Sequence, residues 1–389
     1  MAEKKKILLV NDFWQGGGAE TVFRKTFDLL KGSGEFIVDR FVGFEKYQKS
    51  EGIIGYLFSA GFKKKLTAKL EAYQPDVIHF HGYYHVLSPS VFRAIKKYKK
   101  NNEVKVFYTA HDYHFLNPHS SLLKFNTGKP EVSDNIGFPK WLFDRVDHRG
   151  FIYSTAKKLQ WTISHLLLRN ADVIDVFVSP SIFLKELYEK HLGVKVELIR
   201  NPIPEAEIKP MKKLEEGKTI KMIYLGRLSE EKGIAAFVRK LYESGIYNQF
   251  KLDIYGDGEL HDSISEFISA NDLSEHIELK GFVQQEQLKE IIARYDVVAI
   301  PSICHENAPM SIVESSFDGL YILGSTLGGV PELAKICGNY HLFDPFDEQE
   351  YPKIPDSLRT IDIVDRTGRL DGFFEQTYLE KLINLYQGR

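Results

Sequence analysis

Two carboxylates eight positions apart, Glu306 and Glu314, carry the clearest chemical suggestion in this sequence. They stand in the run Ser302-Ile303-Cys304-His305-Glu306-Asn307-Ala308-Pro309-Met310-Ser311-Ile312-Val313-Glu314. The apolar residues 295–301 before it read as a buried strand, and Met310 to Phe317 has helical character. Asn307 and Pro309 are the candidates for cap and first turn. Glu306 then falls in a loop and Glu314 inside a helix, roughly 12 Å away along the axis at about 1.5 Å per residue. A helix start also offers unpaired backbone N–H groups and the positive end of a dipole. The stretch therefore provides an anion site with a hydroxyl-binding carboxylate on either side. Ribose hydroxyls, diphosphate and sugar hydroxyls follow one another in that order in a nucleotide sugar. Two solvated glutamates have the same spacing by chance, so the rest of the chain must decide.

Other motifs point the same way. Gly226-Arg-Leu-Ser-Glu-Glu-Lys-Gly233 sets two cations, Arg227 and Lys232, beside a turn where they could converge on a diphosphate. Gly256-Asp-Gly258 and Gly328-Gly-Val-Pro-Glu332 are further small-residue turns at strand ends or before a helix. Near the N-terminus, Gly16-Gly17-Gly18-Ala-Glu20 lies between a strand and a helix, where backbone can approach a phosphate or a sugar. Its spacing is not that of the dinucleotide fingerprint, and a tight turn without a ligand explains it equally. His81 and His111 each end a strand-like run. The sequence has no Asp-x-Asp, Gly-x-Ser-x-Gly, Cys-x-x-Cys or His-Glu-x-x-His, and its two cysteines, Cys304 and Cys337, form no metal-ligand spacing. A diphosphate here would be neutralised by Arg, Lys and helix dipoles, with no metal expected.

The elements that must position these residues alternate between strand and helix. Strand-like runs are Lys6–Asp12, Phe36–Phe44, Asp76–His81, Val104–His111 and Ala171–Pro180, with helical stretches such as Thr21–Leu30, Lys63–Tyr73 and Ser88–Lys100 between them. The alternation restarts with strands at Ile220–Leu225, Phe250–Tyr255, Ile277–Val283, Tyr295–Pro301 and Leu320–Leu323. It predicts α/β architecture, with ligands beyond the carboxyl ends of parallel strands. Residues 115–150 are irregular and aromatic, as in a lid or acceptor-side loop. The three prolines of Asn201–Pro210 place a linker at about 201–218. The expected division is 1–200, linker 201–218, 219–370, and a final helix 371–389.

Length and composition, 389 residues with 43% hydrophobic and 27% charged, fit two globular domains. No apolar run reaches the roughly 20 residues of a membrane span, and the N-terminus lacks the apolar core of a signal peptide, so a cytoplasmic setting is expected. The net charge of −2 conceals an uneven distribution. Residues 1–200 hold 31 Lys+Arg against 21 Asp+Glu, and the remainder 20 against 32. Basic residues cluster at Lys63–Lys65 and from Arg93 to Lys100, as a solvated face or as a contact to an anionic membrane surface. No nucleic-acid motif accompanies them.

Taken together, the motifs resemble a family 4 retaining glycosyltransferase of GT-B architecture. The matching positions run in order through nearly the whole chain: Gly16–Glu20, Asp76–His79, Thr109–Asp112, Asn201-Pro202, Gly226-Arg227 with Glu231–Gly233, Gly256–Gly258, Gly281-Phe282, Pro301-Ser302, Glu306 with Glu314, and Gly328-Gly329 with Pro331-Glu332. The resemblance implies two Rossmann-like domains facing a cleft, acceptor on the first and donor on the second, with the last helix returning to the first. It gives Arg227 and Lys232 to the donor diphosphate, Glu314 to the ribose and Glu306 to the transferred sugar. Main-chain groups of Asn307, Ala308, Pro309 and Met310 complete these contacts, with Gly256 in the donor site. Gly16 and Gly17 approach the phosphate from the other domain, and His111 touches the sugar. The implied donor is a UDP- or GDP-sugar, with no other cofactor. Many relatives carry cysteines after the His-Asp pair, where this chain has Asn117-Pro118, and Leu320-Tyr321 replaces a common small-Pro step. The expected acceptor is a lipid-linked saccharide of cell-surface polysaccharide synthesis. The alternatives are a soluble acceptor and a non-catalytic nucleotide-binding partner subunit. A nicotinamide-dependent dehydrogenase is disfavoured by the glycine spacing.

Overall fold

The computed structural model describes residues 3–389 apart from 51, 128, 212 and 367. The six remaining positions fall inside the expected domain and linker ranges and lie outside the described residues. Contacts divide the chain into two units, Met1–Ile203 with Phe373–Arg389, and Pro204–Gly372.

The N-terminal unit is built on six strands: β1 Lys6–Phe13, β2 Ile37–Phe44, β3 Val77–Phe80, β4 Lys105–Thr109, β5 Val176–Ser179 and β6 Val196–Leu198. They pair in the order β2-β1-β3-β4-β5-β6, all parallel. β1 and β3 are almost wholly buried, which is why they read as continuous apolar runs. The helix Glu375–Gln387 packs Tyr378, Leu382 and Tyr386 against Ile7, Leu9, Phe23 and Phe107 of this unit. A parallel bridge between Ile203 and Phe374 joins its approach to the end of the N-terminal segment.

The C-terminal unit holds β7 Ile220–Leu225, β8 Phe250–Tyr255, β9 Ile277–Gly281, β10 Val297–Ile300, β11 Tyr321–Ser325 and β12 Tyr340–Phe343. Their order is β9-β8-β7-β10-β11-β12, again parallel throughout. β6 and β12 are too short and too exposed to stand out in the sequence.

The segment expected as a linker is tied down. Ile203 pairs within the N-terminal unit, whereas Leu214 is buried in the core of the C-terminal one, and Lys209 N–H donates to the Phe317 carbonyl at 2.8 Å. The segment 115–150 is likewise folded on itself. Leu123–Lys124 and Glu131–Val132 pair antiparallel, Trp141 is fully buried, and Asp144 accepts from Asn126 and Asn135. Irregular sequence there means local polar bonding in place of ladder bonding.

Candidate functional site

The predicted donor residues sit where the carboxyl ends of the second sheet's strands release the chain. β7 ends at Leu225, and Gly226–Gly233 follows as a loop with a 3-10 turn at Glu230–Lys232. Gly233 closes that turn with φ +70°, and a Cβ on it would run into the Pro301 carbonyl. The close approach joins the loop after β7 to the loop after β10, and Ile303 N–H donates to the Glu231 carbonyl at 3.0 Å. Glycine is required there by both conformation and space.

This junction brings Lys232 onto Glu306. Lys232 Nζ lies 2.6 Å from Glu306 Oε1, and Ser302 Oγ donates to the same oxygen at 2.7 Å. Burial would raise the Glu306 pKa, but the Lys232 charge and the hydrogen bonds from Lys232 and Ser302 outweigh it and hold the carboxyl below its usual range. Burial likewise works to lower the Lys232 pKa, and Glu306 reverses it, so the ammonium is held above its usual range. Both groups are charged at neutral pH. Lys232 has three donors, enough to hold Glu306 and a phosphate oxygen together.

Arg227 stands differently. Its side chain is 72% exposed and pairs with Glu231 at 3.2 Å. Its backbone is fixed instead, with the Tyr224 hydroxyl donating to its carbonyl at 2.7 Å. An exposed guanidinium on an anchored loop is accessible to an anion. Gly256, at the end of β8, packs against the Gly226 carbonyl with φ +143°, leaving no room for a side chain. Arg227 and Gly256 also line a concavity of about 270 Å³ with Tyr255, Phe282 and Val283.

The helix after β10 spans Met310–Phe317. Pro309 occupies its cap position in extended conformation, so the helix begins one residue later than the sequence suggested, and Asn307 lies before the cap. Proline's missing N–H costs nothing there. Asn307 is buried, whereas Ala308, Pro309 and Met310 are half-buried. Glu306 receives a second anchor, as its carbonyl accepts from Gly329 N–H at 2.6 Å. Glu314, inside the helix, has no ion pair or hydrogen bond to its carboxylate among the described residues, and burial pushes its pKa up.

The remaining candidates belong to the N-terminal unit. Gly17 caps the helix Gly18–Ser33 after β1, and its N–H donates to Glu20 Oε2 at 2.8 Å. Gly16 is crowded by the same Glu20 side chain. His111 follows β4 and pairs through Nε2 with His81 Nδ1 at 2.9 Å. Burial lowers the His111 pKa to about 4, so the ring is neutral at pH 7. Behind it, His79 Nε2 meets Thr109 Oγ1 at 2.8 Å and Nδ1 meets the Tyr386 hydroxyl. A concavity of about 980 Å³ lies at the opposite edge of this sheet, around Lys5, Lys105 and Lys195. Those residues precede or begin strands, so it is away from the ends where ligands of doubly wound sheets bind.

Sequence reasoning named Ser302 and Glu231 without giving them a role, and it missed Tyr224 and Asp12; the first three position the cations and Glu306. The Asp12 carboxylate accepts three backbone N–H groups, from His85, Val86 and Leu87, at 2.9 to 3.0 Å. An acidic residue closing a buried strand was the one available signal.

With this geometry in view, the profile of the family described as "Glycosyl transferases group 1" matches residues 205–354. The matched residues lie within the C-terminal unit. Two relatives are the amylovoran biosynthesis glycosyltransferase AmsK of Erwinia amylovora and the putative colanic acid biosynthesis glycosyltransferase WcaL of Salmonella typhimurium. The first is 29% identical over 122 residues, 29% of this chain and 30% of AmsK. The second is 26% identical over 187 residues, 44% of this chain and 46% of WcaL. The chain thus covers less than half the length of either. Among solved structures, the lipopolysaccharide outer core galactosyltransferase WaaB aligns with a TM-score of 0.65 at 14% identity, covering 99% of this chain and 100% of WaaB. HepE of Anabaena, solved with UDP and glucose, aligns at 0.63 and 14% identity over 99% of this chain and 100% of its own. At such identity the likeness concerns fold, and the fold is GT-B. The Lys232–Glu306 pair, Arg227, Gly256 and Glu314 all lie within the matched residues 205–354.

Proposed function

We propose that the chain moves a sugar from a nucleotide-diphosphate sugar to an acceptor hydroxyl, with retention of anomeric configuration and without a metal. The observation that carries this reading is the Lys232–Glu306–Ser302 cluster, set one turn ahead of a helix start in the group 1 domain. Arg227 and Lys232 would hold the diphosphate, helped by main-chain groups of Asn307 to Met310 at the helix N-terminus. Glu314 would bind the ribose and Glu306 the hydroxyls of the sugar. Gly16, Gly17 and His111 keep the roles that the resemblance gives them, backbone contacts to phosphate and a neutral ring contact to the sugar.

In the transfer, the bond from the anomeric carbon to the phosphate oxygen breaks as the acceptor oxygen bonds to the same face. The acceptor proton passes to the departing phosphate. Charge develops on that phosphate, and fixed cations and helix dipoles stabilise it. The carboxylate of Glu306, held ionised by Lys232, is suited to an oxocarbenium-like centre. The donor would be a UDP- or GDP-sugar. Relatives named for amylovoran, colanic acid and lipopolysaccharide synthesis support a role in polysaccharide synthesis, and the acceptor in this reading is a lipid-linked saccharide at the cytoplasmic face of a membrane.

Thermal-shift measurements against UDP-, GDP-, ADP- and dTDP-sugars test the donor, because the true one stabilises by mass action. A midpoint unmoved by all four overturns the donor assignment. Proton NMR of the product then reads the anomeric configuration, and an inverted product overturns retention.

A further inference from the structure

The segment 138–169 of the N-terminal unit is built inside out. Its helix Phe151–Thr162 continues as a π-helical turn, Ile163–Leu167, and the residues this run buries are Ser154, Gln160, Trp161 and Ser164. Each of them is hydrogen-bonded within the unit. Ser154 Oγ donates to the Asp147 carbonyl at 3.5 Å, and Gln160 Nε2 to the carbonyls of Tyr56 and Tyr84 at 2.6 and 2.8 Å. Trp161 Nε1 donates to the His114 carbonyl at 2.8 Å, and Ser164 Oγ lies 3.0 Å from the Tyr83 hydroxyl. Several large apolar residues face outward instead. Phe151 is 83% exposed and Ile152 74%, and Leu159 and Leu167 continue the exposed surface along the helical run. The preceding turn adds Phe143 at 93%, and the neighbouring helix Gly52–Leu57, with no buried residue, adds Ile54.

The charge around this surface is mainly basic, with Arg169 at its end paired to Asp172 at 2.8 Å. Residues 138–169 contain six Lys+Arg and two Asp. Both acids, Asp144 and Asp147, are buried and engaged, Asp147 by Arg149 and Lys157 at 2.8 and 2.9 Å. At the far end, Arg93 and Lys96 share a concavity of about 200 Å³ with Leu167. The basic run of the Val91–Lys99 helix therefore adjoins the apolar surface. By contrast, Lys99 is spent on Asp175, and Lys63 to Lys65 lie on a different helix, Ala60–Tyr73.

We infer that this face seats the N-terminal unit on an anionic lipid bilayer, with Phe143, Phe151 and Ile152 among the acyl chains. A group of exposed large apolar side chains such as this marks a contact surface. The basic surround and the helix lying along the surface fit a bilayer interface. A 12-residue helix with a five-residue continuation is too short to cross a membrane, and no helix among the described residues is long and apolar enough to do so. The inference concerns the surface alone, so its test omits nucleotide sugar and its failure leaves the donor site untouched.

The test is flotation of the purified chain with vesicles of equal parts phosphatidylcholine and phosphatidylglycerol. The protein should float with them, and retention should persist in part at high salt because apolar insertion is not screened. The triple variant Phe143→Ser, Phe151→Ser, Ile152→Ser should lose about a hundredfold in partitioning while keeping its thermal midpoint. Changing Lys63, Lys64 and Lys65 to Gln should cost less than about threefold. A separate variant, Phe143→Trp, should shift its emission to the blue on addition of vesicles. Wild-type protein that stays with the solution would overturn the inference. So would a triple variant that floats as well as wild type, or a Phe143→Trp variant whose emission vesicles leave unmoved. A wild-type dimer that the triple substitution separates, with no flotation, would assign the face to a second copy and overturn it equally.

Discussion

The two units repeat one plan, a six-stranded parallel sheet with ligand-competent loops, yet they fill the carboxyl ends of their strands with opposite electrostatics. The N-terminal unit holds nine of the 13 histidines. His79, His81, His111, His114 and His165 all have their pKa lowered, chiefly by burial. Neither ring nitrogen of His114 has a partner among the described residues, and the ring stacks on Tyr84 at 3.9 Å. The C-terminal unit instead keeps full charges together, Lys232 against Glu306, with Arg227 nearby. A neutral polar lining suits hydroxyl groups, whereas fixed cations suit a leaving diphosphate. On the proposed function, the same fold would supply recognition in one unit and charge stabilisation in the other.

Acid should break the contrast most strongly. The buried histidines are neutral when folded, whereas the unfolded chain protonates them near the ordinary value of 6.5. The unfolded state therefore binds more protons as pH falls, and stability present above about pH 6.5 is lost towards 4, the folded value of His111. His111 alone contributes on the order of 3 kcal/mol to this loss. All three tryptophans, Trp14, Trp141 and Trp161, belong to the N-terminal unit, so their emission reports that unit. A Trp signal unchanged from pH 7 to pH 4 would contradict this account.

Removing the cations should follow in size. Lys232→Ala and Arg227→Ala should each slow transfer by roughly 1.5–3 kcal/mol, about 10- to 150-fold. Their stabilities should separate. Losing Lys232 leaves Glu306 half-buried without its cation, at about 1–3 kcal/mol, whereas exposed Arg227 should cost under about 0.5 kcal/mol. Equal melting temperatures for the two variants would show that Lys232 has no structural part.

Glu314→Gln sharpens the comparison within the donor site. A carboxylate whose folded pKa is raised is favourable at low pH and loses that contribution as pH rises through the raised value. The amide should therefore be neutral to slightly stabilising at pH 7, by less than about 1 kcal/mol, while nucleotide-sugar binding weakens. A variant both less stable and unchanged in binding would remove Glu314 from the site. The smallest expected effect is none: excess EDTA should leave transfer unchanged, and strict dependence on magnesium or manganese would mean that the diphosphate is placed wrongly.

The sequence was most legible where period and punctuation agree. Buried strands such as β1 and β10 announce themselves as apolar runs, and Met310–Phe317 follows its proline within one residue. Side-chain pairing was less visible. Nothing in the spacing of Lys232 and Glu306, 74 positions apart, says that they meet, because a glycine packed against the Pro301 carbonyl decides it. The helical run 151–167 was not read from the sequence, and amphipathic periodicity records which positions share a face but not which face is inward.

The helix Glu375–Gln387 also bears on how the molecule is made. Its Tyr386 supplies the hydroxyl on His79 and packs beside Phe107, and its carbonyl receives Lys5 Nζ at 2.9 Å. During synthesis the first two hundred residues leave the ribosome well before that helix exists. They must wait with one face of their sheet uncovered while the whole C-terminal unit emerges and folds. The domain that begins first is therefore finished last, and a ribosome stalled anywhere before residue 386 holds an N-terminal unit with an open apolar surface, a natural substrate for chaperones.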